Sequence, residues 1–322
     1  MKPQDYLQEL QAAADEEWGV SAPDFGLRVS GLRQEMIERL PAELRERARG
    51  LMKQFPDLAA RSSLLAITIR EEIKELLPEA DWGRVQDVPI GILNSAEFNG
   101  FAVRVPGGGS IAVLNAGLLG ILHGVNKTLM KLTVAEKGDG EPDIAEMESL
   151  VNTLPAFARS VITLNRCKPP RPVQVGRGQF TIANLYTNMQ ELFCFAHEYG
   201  HILLGHLGAT DKNTEVLGQK KPVDVYRRSR DDELAADMQA GAILLHSHHG
   251  DPNMQAVGLV ILFNLLSLCE RLTNRIPRIQ NTHPSAKERK EALLRFYASH
   301  LHKGGTDLIR KMDMLFDMSM MT

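Results

Sequence analysis

The spacing of apolar and polar positions changes character along the chain. Asp5 to Glu17, Gly31 to Phe55 and Leu58 to Leu77 are rich in Leu, Ala, Glu and Arg, which predicts helices, with Pro23, Pro41, Pro56 and Pro78 as breaks or starts. Near Val88 the pattern shortens. Val88 to Leu93, Phe98 to Val105 and Ser110 to Leu114 read as strands, the last two joined through Pro106-Gly107-Gly108-Gly109, a hairpin turn. An acidic, Gly-rich turn at Glu136 to Glu141 precedes a helix near Ile144 to Leu164. From Leu185 to Leu207, apolar side chains at Leu185, Met189, Leu192, Phe193, Ala196, Leu203, Leu204 and Leu207 predict a largely buried amphipathic helix that ends at Gly208. Asp231, Asp232 and Glu233 open another helix, where acidic groups suit the positive end. Pro252 opens a helix over Asn253 to Asn274, Ser285-x-x-Glu288 forms a capping box for the next, and Leu308 to Met321 is amphipathic and Met-rich. The fold class that follows is α+β and predominantly helical, with a small antiparallel sheet. Residues 1–85 form a helical N-terminal subdomain that packs on the rest or binds a regulatory partner, and residues 86–322 form the domain that carries the chemistry.

Composition narrows the class. The chain has 322 residues, 43% apolar and 24% charged, as in an ordinary globular protein. A formal net charge of −3 supplies no field to recruit nucleic acid or an anionic membrane, so no nucleic-acid partner is expected. Lys220, Lys221, Arg227, Arg228 and Arg230 are a local basic cluster, read as a solvated loop. The longest apolar run, Val257 to Cys269, is interrupted by Asn264 and Ser267 and falls short of the roughly 18–20 residues a bilayer needs. It reads as a buried helix, and no membrane span is expected. Cys167, Cys194 and Cys269 lack C-x-x-C spacing, and the N-terminus lacks a basic-then-apolar profile; the expected location is the cytoplasm.

The candidate chemistry centres on His197-Glu198-Tyr199-Gly200-His201, an H-E-x-x-H pattern. On a helix this spacing puts two imidazoles on one face, as two corners of a tetrahedral zinc site, with Glu198 beside them to act on water. A catalytic zinc site needs a third protein ligand. Glu233, in the pattern Glu233-x-x-Ala236-Asp237, is the expected one, and Asp237, one turn on, is placed to accept the free ring N–H of a ligating histidine. His206 is five residues past His201, which turns it off the ligand face of a straight helix and suggests a surface role or one behind the ligands. His246, His248 and His249 sit at a helix end before Gly250 and read as solvent-facing. Cys194, three residues before His197, reads as a small apolar filler rather than an inhibitory thiolate.

These two motifs together resemble the gluzincin arrangement, in particular the HtpX and CAAX-prenyl-protease group of zinc peptidases. Asn99-Gly100-Phe101-Ala102 and Gly109 to Leu119 resemble that group's strands before the active-site helix, and Thr282-His283-Pro284-Ser285 with Arg289 resembles its C-terminal segment. Leu203-Leu204-Gly205-His206 is also similar to the ImmA/IrrE and phage-exclusion Lit types of bacterial peptidase. The resemblance implies a zincin-like catalytic domain in a form without membrane spans, and it singles out His283 as an oxyanion stabiliser.

The function expected is that of a soluble zinc-dependent endopeptidase, with one Zn²⁺ per chain and a protein or peptide substrate. Glu198 is the general base toward zinc-activated water; Tyr226, His283, His206 and Arg289 are candidate donors to the oxyanion. An edge strand beside the active-site helix would hold an extended peptide by β-addition. The alternative is a zinc-binding sensor or interaction module with little or no proteolytic activity.

Overall fold

The computed structural model describes residues 1–18, 45–46, 64–93, 95, 97–133, 143–163, 173–208, 212–217, 221–226, 229–247, 250–273 and 284–319. Among them helices dominate, beside a three-stranded sheet and a separate two-stranded hairpin, so the α+β, predominantly helical class holds. The predicted helix at Gly31 to Phe55 and the turn at Glu136 to Glu141 lie outside the described residues, apart from 45–46. The chain divides into two compact units, residues 1–118 with 194–228, and residues 119–193 with 229–322.

In the first unit, α1 (Pro3–Trp18), α2 (Leu64–Leu76) and α3 (Glu79–Val85) precede β1 (Ile90–Leu93), β2 (Gly100–Arg104) and β3 (Ser110–Asn115). The β2–β3 turn works because Gly107, Gly108 and Gly109 all take positive φ, of 100°, 114° and 84°, which costs a glycine little. β2 runs antiparallel to β3, with Phe101 opposite Val113. β1 runs parallel to β3, with Ile90 opposite Ala112, so the order is β1-β3-β2 and the sheet is mixed rather than antiparallel throughout. The reason lies in β3: Ile111 to Asn115 are buried without alternation, the mark of a central strand covered on both faces. Helix α1 sets Tyr6, Leu7 and Leu10 against Leu93, Phe101, Val103, Val105, Ile111 and Val113. Side chains three and four apart form one helical stripe, and each fully buried one contributes about 1.5–3 kcal/mol. Gln11 adds a side-chain hydrogen bond to the Ile92 carbonyl at 3.2 Å.

Where a solvated basic loop was expected, the backbone forms a second hairpin, β4 (Lys212–Leu217) and β5 (Lys221–Tyr226), with Lys212 opposite Tyr226. Its signal is an alternation of Val223 and Val225 with Asp224, which the high charge density obscures. β5 comes close to β2 without joining its sheet. Lys220, Arg227 and Arg228 lie outside the described residues.

The second unit holds the longer helices. Helix α4 (Ala116–Leu132) follows β3 without a loop, and no pattern reading anticipated it. Its apolar residues, Leu118, Leu119, Ile121, Leu122, Val125, Leu129 and Met130, are all buried, a hydrophobicity too continuous to show a period. The single helix expected at Ile144 to Leu164 is two, α5 (Ile144–Val151) and α6 (Thr153–Ile162). Pro155, third in α6, has no N–H to give a continuing helix and suits a first turn instead. There follow α7 (Arg177–Leu203), whose residues from Cys194 onward belong to the first unit, α8 (Arg230–Leu245), α9 (Pro252–Thr273), α10 (Ala286–Tyr297) and α11 (Lys303–Met318). Helix α9 is long and apolar enough in length and composition to cross a membrane, but 67% of its most apolar window is buried within the protein. It packs against α6, α10 and α11 as the expected core helix. Phe193 of α7 meets Phe263 edge to face at 5.9 Å, and Gln190 donates to the Gly258 carbonyl at 2.8 Å. Along α11, Ile309, Met312, Leu315 and Phe316 are buried while Met314 and Met318 stay exposed, so the Met-rich segment serves mainly as core.

Candidate metal centre

The C-terminal part of α7 is held by its buried flank. Phe195, Ala196 and Tyr199 are fully enclosed, and the Tyr199 hydroxyl donates to the Val88 carbonyl at 2.8 Å, tying the helix to the residues just before β1. Burial pushes that phenol above the ordinary tyrosine range. The helix stops at Leu203, not at Gly208, because Gly205 adopts φ +77° and turns the chain, while Arg84 donates to the Leu203 carbonyl. This earlier stop moves His206. Instead of continuing a straight helix it begins a 3-10 turn, His206–Gly208, and its Nδ1 lies 3.0 Å from Nδ1 of His201. On the other side of the same ring, Nε2 of His201 is 3.0 Å from Nε2 of His197, with the two rings at 87°. Of the three residues in this motif, His197 is 6% exposed, Glu198 4% and His201 not at all.

Helix α8 starts with a capping box. The Asp232 N–H donates to Ser229 Oγ at 3.1 Å, and the Ser229 N–H donates to Asp232 Oδ2 at 2.9 Å. Asp231, Asp232 and Glu233 lie in its first turn, favourably disposed toward the helix dipole. Its buried stripe is Glu233, Ala236, Asp237, Ala240, Gly241 and Leu244, at helical spacing, so both acids face inward. Asp237 receives a forked pair from Arg289: Nε donates to Oδ2 and Nη2 to Oδ1, each at 2.7 Å. Nη1 of the same guanidinium is 3.7 Å from Glu233 Oε2. Arg289 is placed by α10, whose N-terminus is the expected Ser285–Glu288 capping box, and its guanidinium carbon lies 5.2 Å from the Phe263 ring centre.

Nitrogen or oxygen atoms of His197, His201 and Glu233 all lie within 4.8 Å of one another, and all three residues are buried. The donor set passes a simple test of fit for zinc. Two imidazole nitrogens at about 2.0–2.1 Å from a tetrahedral ion stand roughly 3.3 Å apart, and here the two Nε2 atoms are 3.0 Å apart. Two nitrogens and a carboxylate oxygen are also a composition found in catalytic zinc sites. Gly100, the first residue of β2, brings backbone close to Glu198. A Cβ there would stand 3.7 Å from Glu198 Cγ and would press into the Leu114 side chain.

The other predicted residues are placed as follows. Tyr226 closes β5, opposite Lys212. His283, His248 and His249 lie outside the described residues. His246 caps α8, its Nδ1 2.7 Å from the Ala242 carbonyl. Cys194 is half-buried one turn ahead of His197, and burial together with the Glu270 charge pushes the Cys269 thiol up to about 12. Two contacts had no clear signal in the sequence: His206 with His201, which needed Gly205 read as the helix end, and Arg289 with Asp237, whose partners are 52 residues apart.

With this geometry in view, comparison with protein families decides the class. The profile of the family described as Peptidase U49 matches residues 136–306, a little over half of the chain. The chain belongs to the Peptidase U49 family. The matched stretch contains α7 and α8, so His197, Glu198, His201, Glu233 and Asp237 all fall within it. No curated protein and no solved structure matches the chain. Membership in Peptidase U49 makes peptide-bond hydrolysis the expected class of activity, and the His–His–Glu group is able to hold a metal ion.

Proposed function

We propose that the protein is a zinc-dependent endopeptidase of the gluzincin type, acting on a protein or peptide, with His197, His201 and Glu233 as the ligands of one zinc ion. The observation that carries this reading is the convergence of those three buried side chains, with Glu198 adjacent, inside the region matched by a peptidase family. Zinc, when bound, supplies a Lewis acid that lowers the pKa of water to about 7 and polarises a carbonyl. The protein's own groups do the rest. Glu198 takes the proton from the attacking water and delivers it to the leaving amine. His206, whose Nδ1 is 3.0 Å from His201 Nδ1, is placed to accept that ring N–H, the arrangement that leaves Nε2 of His201 for coordination. Asp237, fully buried, is the carboxylate proposed to accept from a ligand imidazole. Tyr226 and His283 are the donors proposed for the oxyanion.

Metal analysis with a cleavage assay tests the proposal. About one zinc per chain should copurify, His197→Ala should lose it, and only the zinc-loaded protein should cleave a polypeptide. Zinc content well below one per chain that His197→Ala leaves unchanged would remove the basis of this reading.

A further inference from the structure

We propose that Arg289 is the positioning residue for the metal ligand Glu233, steering its carboxylate through a guanidinium that Asp237 holds in place; this rests on the zinc reading above. Glu233 and Asp237 are 5% and 0% exposed and lie one turn apart on the same face of α8. Two carboxylates so removed from water repel each other, and each needs a compensating positive group. Arg289 serves both. Nε and Nη2 are committed in parallel to Asp237, each at 2.7 Å, which fixes the plane of the guanidinium and with it the position of Nη1. That third nitrogen stands 3.7 Å from Glu233 Oε2. One oxygen of the ligand is thereby drawn toward Arg289, which restricts rotation of the carboxylate and favours coordination through the other.

The surroundings hold Arg289 rather than letting it drift. Its side chain is 18% exposed, and Phe263 lies beneath the guanidinium. Arg230, first residue of α8, pairs with Glu288, the neighbour of Arg289 in sequence, so two ion pairs in succession join α8 to α10. With three nitrogens directed at carboxylates, Arg289 is poorly suited to serve an oxyanion, so a positioning role accounts for its contacts better than the donor role considered from sequence. A lysine would preserve the charge but not the fork.

The test compares Arg289→Gln, Arg289→Lys and the double variant Asp237→Asn with Arg289→Gln. Zinc affinity is read by chelator competition, the ligand field by the visible spectrum of the cobalt(II)-substituted protein, and stability by urea unfolding of the metal-free form. Arg289→Gln should bind zinc about 10–100-fold more weakly, as loss of an outer partner of a metal ligand typically does, with an altered cobalt spectrum. Arg289→Lys should recover part of that loss. The double variant removes both members of the forked pair and leaves Glu233 as the one carboxylate of the two still to be balanced; it should be more stable than Arg289→Gln without regaining zinc affinity, and it bears the test should Arg289→Gln fail to fold. Wild-type zinc affinity and cobalt spectrum in the double variant would reduce Arg289 to a purely structural role and overturn the inference, while the zinc reading stood. A wild-type protein that binds no zinc would overturn both.

Discussion

On α7, His197 and His201 offer imidazole rings whose Nε2 atoms already lie 3.0 Å apart, backed by a third imidazole, His206. On α8, Glu233 and Asp237 offer two buried carboxylates backed by a guanidinium. The two halves of the proposed site therefore depend on different physics. The histidine half needs shape: a helix that ends where it does and a ring turned the right way. The carboxylate half needs charge balance, because a buried anion without compensation costs several kcal/mol whatever its geometry. Variants of the first half should lose metal affinity while the fold survives, and variants of the second should lose both.

The largest effect is expected at Glu198, which belongs to neither half and provides the baseline. Glu198→Gln should lower the cleavage rate by about 10²–10⁴-fold while zinc content and urea stability stay at wild-type values. Peptide cleavage, metal analysis and unfolding on one preparation check this. An undiminished rate would remove Glu198 as the base. Partner binding that survives the change, with no product from any candidate substrate, would favour a zinc-binding sensor instead.

The comparison itself is tested next by Asp237→Ala against His206→Ala. Truncating Asp237 removes the buried member of the forked ion pair with Arg289, and the cost should be about 3–5 kcal/mol in urea unfolding. His206→Ala removes an imidazole from a partly exposed turn. It should weaken zinc binding by about 10–100-fold with little change in the unfolding of the metal-free protein. Equal destabilisation by the two variants would mean that the histidine half also bears the fold, and the contrast would collapse.

How much of this was legible in the sequence follows the same divide between local and distant causes. The helix over Asn253 to Asn274 and the Ser285–Glu288 box were readable because each rests on a few adjacent residues, and the structure places them at Pro252–Thr273 and Ser285. The pairing of His197 with His201 was likewise a matter of one helical turn. Helix α4 left no trace because burial on nearly all sides erases the polar stripe that reveals a period. The parallel pairing of β1 with β3, and the fork from Arg289 to Asp237, depend on chain segments that meet only after folding. Spacing alone could not supply them. The displaced end of α7 is an intermediate case, since two glycines, Gly205 and Gly208, compete to stop it and only the backbone conformation decides.

Gly205 also gives the smallest and sharpest prediction. An added Cβ at this position would meet nothing within 4 Å, so Gly205→Ala introduces no clash, and its cost arises from holding an L-residue at φ +77°. That strain is worth roughly 1–2 kcal/mol. Gly100→Ala is the complement: its Cβ would press into the Leu114 side chain and stand 3.1 Å from the Val113 carbonyl oxygen, so crowding rather than backbone strain sets the penalty. Urea unfolding should therefore show a modest loss in Gly205→Ala. Its zinc affinity should fall by less than in His206→Ala, because the turn that seats His206 shifts while the ring survives. If Gly205→Ala binds zinc as weakly as His206→Ala at a cost of only 1–2 kcal/mol in stability, the placement of that ring is everything the histidine half requires of the turn. If it changes neither quantity, the α7 terminus tolerates another route to the same seat, and shape is less demanding on this side than charge is on the other.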